Sequence, residues 1–257
     1  MPHQLPRALH DRFGHLEPTV VWDYDGTPTV WRLDRAGRFL KVKKLGGFPT
    51  LAGERDRLEW ARTRLPVPDV LDYGVAEDVE WLLTAPLPGR DATTPELKQQ
   101  PEKLVPLLAQ GLRDIHSIRA DDCPFDFRND AALAHVRNRY EHGLFGDHYD
   151  HHPEFVHLTP TELVAQLEAT RPDVEDVVLC HGDYCFPNIL IEDWRIVGYL
   201  DFGELGIADR WWDLAVATWS CTWNLGPGWE DLFLDSYGVE RDEARQNFYR
   251  LLYDLSS

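Results

Sequence analysis

The amino-acid sequence predicts an α+β chain in two lobes: a β-rich N-terminal lobe over residues 1–85 and a mostly helical C-terminal lobe over 86–257. Three observations predict it. Short β-patterned runs crowd the front of the chain, apolar residues recur at helical spacing behind it, and Pro86, Pro88 and Gly89 punctuate the passage between the two. Taken in order, 30–33 and 39–42 read as strands joined through a turn over 34–38. Residues 51–63 read as a helix with Leu51, Leu58 and Trp60 among its apolar positions, and 67–73 and 81–84 as two more strands. Leu104, Leu107, Leu108, Leu112 and Ile115 then recur at the spacing of one helix face, and Val136 and Tyr140 belong to another helical stretch. Short strands over 177–179 and 189–191 flank a loop, 196–200 leads into Asp201, and 210–219, 229–237 and 241–252 read as closing helices.

Composition narrows the function. The chain has 257 residues, 43% of them hydrophobic, enough for a sizeable core. It contains no apolar run of about 18 residues, so no membrane span is expected. The first residues lack the apolar centre of a secretory signal. Cys123, Cys180, Cys185 and Cys221 show no C-x-x-C spacing and read as reduced thiols. Together these make the cytoplasm the expected location. The formal net charge is −18, which opposes nucleic-acid and anionic-membrane binding and favours a cationic small molecule.

The chemistry is concentrated in His181-Gly182-Asp183-Tyr184-Cys185-Phe186-Pro187-Asn188 and, thirteen residues after Asn188, in the Asp201-Phe202-Gly203 triplet. Phosphoryl transfer needs a carboxylate to orient and deprotonate a hydroxyl, and oxygen ligands to hold Mg²⁺ on nucleotide phosphates. Asp183 fits the first role, and Asn188 and Asp201 the second. Their order is that of a kinase catalytic loop and its D-F-G. In the front lobe, Lys41 and Lys43 lie two apart on one strand and face the same side, and Glu54 opens the following helix. A phosphate-binding lysine fixed by a glutamate needs these residue types. The loop over 24–30, with Gly26 and the backbone amide of Thr27, is where a phosphate-covering loop should lie.

The H-G-D form of the loop, together with Ala208-Asp209-Arg210-Trp211-Trp212-Asp213, resembles the aminoglycoside phosphotransferases, in particular the group acting on 3′ and 3″ hydroxyls. Phe39-Leu40-Lys41 and 51–60 resemble that family's lysine strand and glutamate helix, which favours Lys41 over Lys43. The resemblance implies a two-lobed protein-kinase-like fold, Mg²⁺, and ATP or GTP as donor. It implies that residues 81–89 form a hinge in which the Ala85 carbonyl and the Leu87 N–H read the base. It also implies an aminoglycoside as the acceptor and resistance as the outcome.

The substrate side departs from the family's pattern. Glu204 stands after the D-F-G where the 3′ enzymes usually place an arginine, and the C-terminal tail keeps only Asp254 as a clear acid. An acidic segment over 147–154 contributes Asp150 and Glu154, which with Asp254 are the candidate carboxylates for substrate ammonium groups. The same segment holds His148, His151 and His152, with His157 beyond it. These have the atoms of a zinc site without a recognised ligand spacing, so a solvated loop is the expectation. Among the ten tryptophans, one or two of Trp211, Trp212, Trp219 and Trp223 could stack on a substrate ring. The alternatives to an aminoglycoside kinase are a kinase for another hydroxylated small molecule (a macrolide or an amino alcohol), a non-catalytic nucleotide- or drug-binding protein, and a metal-dependent hydrolase using the histidine segment.

Overall fold

A computed structural model describes residues 4–23, 28–33, 37–145 and 153–256. Two compact units form, one from Met1–Gly89 with Val197–Gly203 and the other from Arg90–Ile196 with Glu204–Ser257. Residues 197–203 therefore belong with the front of the chain although they lie far along it.

The first unit is built on a five-stranded antiparallel sheet. Its elements are α1 (His10–Phe13), β1 (Thr19–Trp22), β2 (Thr29–Leu33), β3 (Arg38–Lys44), α2 (Leu51–Ala61), β4 (Val70–Ala76) and β5 (Val79–Thr84), and the strand order is β1-β2-β3-β5-β4. Along β3 the side chains alternate. Leu40 and Val42 are buried with Trp31, Leu33, Trp81, Leu83, Leu9 and Phe13, while Lys41 and Lys43 take the other face. Helix α2 starts at Thr50, whose hydroxyl accepts the Gly53 N–H at 3.0 Å. Its buried stripe is Leu51, Glu54, Leu58 and Ala61, which is helical spacing with one carboxylate set inside it. Each fully buried leucine of this kind stabilises by about 1.5–3 kcal/mol. An isolated buried carboxylate would cost more than that, so Glu54 needs a partner.

The second unit is mostly helical. It contains β6 (Arg90–Asp91), α3 (Pro95–Lys98), α4 (Pro101–His116), α5 (Asn129–Glu141), α6 (Pro160–Ala169), β7 (Val177–Cys180) and β8 (Ile189–Glu192). It continues through the start of β9 (Arg195–Tyr199), then β10 (Gly206–Asp209), α7 (Trp211–Leu225), α8 (Glu230–Tyr237) and α9 (Glu243–Ser256). Strand β6 pairs with β8 and β7 with β10, both antiparallel. Helix α7 is buried almost all round over its first three turns, which marks it as the central helix of the unit. Helix α6 was not anticipated from periodicity. It starts on a capping box, Thr159 with Glu162, a signal present in the sequence. Among the described residues no helix is long and apolar enough to cross a membrane. None of the four cysteines is joined in a disulfide.

Candidate active site

In the first unit the residues expected on the phosphate side converge. Lys41 Nζ donates to Glu54 Oε2 at 2.9 Å and to Asp201 Oδ1 at 2.8 Å. Burial alone would pull the lysine down, but the charges of Asp201 and Glu54 outweigh it, and the ammonium is held well above its ordinary value. Glu54 is 5% exposed, and its burial raises it against the pull of Lys41. Lys43 is engaged elsewhere, donating to the Pro49 carbonyl at 2.6 Å, and burial lowers it. The two lysines that strand periodicity could not separate are thus separated by their partners. Asp201 sits at φ 60, in the left-handed region that an aspartate tolerates better than most residues. At the end of β5 the Ala85 N–H donates to the Asp69 carbonyl at 2.9 Å, and Leu87 follows, half-buried. Gly26 and Thr27 lie outside the described residues.

In the second unit β7 delivers the H-G-D loop, and nearly every residue of the loop is tied to a neighbouring helix. Asp213 of α7 accepts the His181 N–H at 2.7 Å and the Gly182 N–H at 2.9 Å, one on each carboxylate oxygen. Trp212 Nε1 donates to the Gly182 carbonyl at 2.7 Å. The Tyr184 hydroxyl donates to the Leu108 carbonyl at 2.8 Å, and the Phe186 N–H to Ser220 Oγ at 3.0 Å. Buried backbone groups outside a ladder need such partners, and here α7 supplies them through Asp213, Trp212 and Ser220, while the Tyr184 side chain ties the loop to α4. His181 is fully buried and its Nδ1 accepts the Asp183 N–H at 3.2 Å, so the ring braces the loop. Gly182 has φ 95, and a Cβ there would lie 2.5 Å from the Glu204 carbonyl oxygen. This is why the position between His and Asp is glycine rather than a side-chain-bearing residue.

Asp183 and Asn188 meet directly. Asn188 Nδ2 donates to Asp183 Oδ2 at 2.7 Å and to the Asp183 carbonyl at 3.0 Å, which turns the amide oxygen away from the carboxylate. The other carboxylate oxygen, Oδ1, accepts the Tyr253 hydroxyl of α9 at 2.9 Å. Sequence reasoning missed Tyr253. The only signal was its place in a C-terminal tail, where acids were sought. Burial, followed by the nearby Asp183 carboxylate, holds the Tyr253 hydroxyl well above its ordinary value, so it is a proton donor.

The carboxylates expected on the substrate side are dispersed. Asp150 lies outside the described residues. Glu154 is 3.7 Å from Arg250, which also meets Glu230 at 3.1 Å. Asp254 is buried on α9 at 7% exposure. His148, His151 and His152 are outside the described residues, and His157 is exposed. Among the described residues the one cluster with close metal-donor atoms is His116, Cys180 and Asp213, all buried or half-buried. Its Asp213 is committed to the loop amides and to His116 Nε2 at 3.1 Å, and burial keeps the Cys180 thiol protonated. That cluster is a hydrogen-bonded brace. Trp211 and Trp212 are core residues, while Trp219 and Trp223 form a tilted pair, 5.5 Å between centroids, with Trp223 68% exposed. Asp209 is fully buried and accepts the Trp211 N–H at 2.8 Å and Arg245 Nη1 at 2.7 Å, which makes the A-D-R segment structural.

Residues 22–249 match the model of a phosphotransferase enzyme family. An aminoglycoside 3′-phosphotransferase of Streptomyces ribosidificus is 36% identical over 262 aligned positions, spanning 96% of this chain and 98% of that one. The enzyme of the same description from Streptomyces fradiae is 39% identical over 79% of this chain and 78% of its own length. A streptomycin 3″-kinase of Streptomyces griseus is 31% identical over 89% of this chain and 88% of its own length. Among solved structures, an aminoglycoside-3′-phosphotransferase of type VIII superposes with a TM-score of 0.83 at 32% identity, covering 96% of this chain and 97% of that one. Aminoglycoside phosphotransferase APH(3'')-Id from Streptomyces rimosus, in complex with ADP and streptomycin, superposes at 0.79 with 27% identity, covering 97% and 96%.

Proposed function

The chain belongs to the aminoglycoside phosphotransferase family, and from that premise we propose that it transfers the γ-phosphoryl group of ATP to the 3′-hydroxyl of an aminoglycoside. Phosphorylation of an aminoglycoside hydroxyl is its activity, and resistance is the consequence. The 3′ position is favoured by the several relatives of that description at 29–39% identity. The observation that carries the chemical reading is the Asp183 carboxylate, held on Oδ2 by Asn188 and seated in a loop whose backbone is tied to α7 and whose Tyr184 side chain is tied to α4.

Asp183 orients the acceptor hydroxyl and takes its proton as the new oxygen–phosphorus bond forms and the bond from the γ-phosphorus to the bridging oxygen breaks, releasing ADP. Lys41, kept charged by its two carboxylates, is the cation for the nucleotide phosphates, and Glu54 holds it in place. Asn188 and Asp201 would hold Mg²⁺. Both offer the hard oxygen donors that ion prefers, the Asn188 amide turns its oxygen away from Asp183, and Asp201 already accepts a cation, the Lys41 ammonium. Bound there, the ion would neutralise charge on the phosphate oxygens. Ala85 and Leu87 supply main-chain groups for the base, and Gly26 and Thr27 amides for the phosphates. The net charge of −18 supports a polycationic acceptor.

The experiment is a resistance panel in a sensitive host, paired with mass spectrometry of the drug after incubation with protein, ATP and Mg²⁺. One added phosphoryl group is expected on aminoglycosides with a 3′-hydroxyl, and none on 3′-deoxy analogues. Modification of the 3′-deoxy compounds would move the reaction to another hydroxyl.

A further inference from the structure

We propose that Tyr253 is a positioning residue for the transfer step, its phenol holding the Asp183 carboxylate in the orientation that receives the acceptor hydroxyl. The proposal rests on the reading of Asp183 as the acceptor-side carboxylate. The Tyr253 hydroxyl donates to Oδ1 at 2.9 Å, while Asn188 donates to Oδ2 at 2.7 Å. The torsion that turns an aspartate carboxylate is broad when nothing holds it. Two donors on opposite oxygens restrict that rotation from both ends. An ionised carboxylate has about four lone-pair sites, so it can take an alcohol O–H beside fixed donors. The phenol on Oδ1 and the amide on Oδ2 set the direction in which the carboxylate meets that hydroxyl.

The donor itself is rigidly mounted. Leu251, Leu252 and Leu255 are buried, as is Asp254, so α9 is anchored on both sides of Tyr253. A site carried on a packed helix is more precise than one on a loop. A phenol is also a neutral donor. It steadies the carboxylate without adding a positive charge beside a polycationic substrate, as a lysine or arginine would. The tail thus serves the site through its tyrosine, while its acid is buried within α9.

The test is a single-turnover transfer measurement on the full-length protein for wild type, Tyr253→Phe, Asp183→Asn and the double variant. Tyr253→Phe removes one oxygen and is expected to slow transfer about 10- to 100-fold, the range for loss of an orienting partner. Aminoglycoside KM, nucleotide affinity and thermal midpoint should stay near wild type. In the Asp183→Asn background the same change should add little to the residual rate, because the group that Tyr253 positions is already disabled. An unchanged transfer rate in Tyr253→Phe overturns the proposal. So does a raised aminoglycoside KM at constant transfer rate, which would make the phenol a drug contact, or a full additional loss in the double variant. If Asp183→Asn itself transfers at the wild-type rate, the base assignment fails instead, and the two failures are told apart.

Discussion

Lys41 and Asp183 are both charged side chains at the heart of their units, yet the two units hold them by different physics. Lys41 sits as one ammonium between two carboxylates, the buried Glu54, set into the apolar stripe of α2, and the exposed Asp201. Asp183 is held by neutral donors, an amide and a phenol, on a loop whose backbone is tied to Asp213, Trp212 and Ser220. A buried ion pair such as Lys41–Glu54 depends on both members, because removing one leaves an uncompensated charge. A loop fixed by many hydrogen bonds loses them one at a time. Loss of Lys41 should therefore cost stability as well as rate, and loss of the Asp183 charge mainly rate.

The sharpest test of that contrast is Asp183→Asn. It keeps the shape and the neutral neighbours, so folding and nucleotide affinity should be near wild type while turnover falls by about 10²–10⁴-fold, the usual general-base contribution. Steady-state kinetics with nucleotide titration checks both halves. A large drop in stability would show that the loop depends on the charge after all.

Lys41→Ala should lower stability and activity together. It strands the buried Glu54 carboxylate, and breaking a buried pair costs about 3–5 kcal/mol. Denaturant unfolding should show that loss, and Lys41→Ala, Glu54→Ala together should recover part of it. If the single variant unfolds like wild type, the cluster is more hydrated than its burial indicates.

Gly182→Ala probes the loop's backbone. At φ 95 any side chain is strained, and the new Cβ would press on the Glu204 carbonyl. A non-glycine residue in such a region costs about 1–3 kcal/mol, and here the displaced loop should also lower the transfer rate. Calorimetry beside single-turnover kinetics separates the two effects.

The smallest expected effect concerns pH. Burial opposes ionisation of Glu230, but Arg250, Thr222 and Gln246 outweigh it and hold the carboxyl below its ordinary value. A lowered carboxyl contributes stability that is present above the unfolded-state value and is lost as pH falls through the folded one. Glu230→Gln should therefore lose about 1 kcal/mol near neutral pH and flatten the acid limb of the stability curve. Parallel acid limbs for the two proteins would place the acid sensitivity elsewhere.

What could be read from the chain was whatever its own continuity encloses. His181 to Asn188 is one short segment, so the residue types and their spacing are the site, and no folding argument was needed to place Asp183 beside Asn188. The β3 alternation likewise puts both lysines on one face, because side chains on a strand repeat every two residues. The same periodicity could not choose between Lys41 and Lys43. That choice needed Glu54 from α2 and Asp201, which lies 160 positions further on. Tyr253 was illegible for the same reason, since 70 positions separate it from Asp183 and only the packing of α9 brings it there. Asp254 shows the converse. An acid near the end of the chain suggests a hand for cations, but the rotation of α9 turns it inward and its neighbour towards the site. The sequence by itself thus determined the two-part α+β architecture and the phosphoryl-transfer loop, because periodicity and contiguous motifs are local. Tertiary structure alone decided which lysine is charged against which carboxylates, why residue 182 is glycine, and which tail residue meets Asp183. Those contacts join residues that share neither a helix turn nor a strand, and only the folded chain brings them within hydrogen-bond reach.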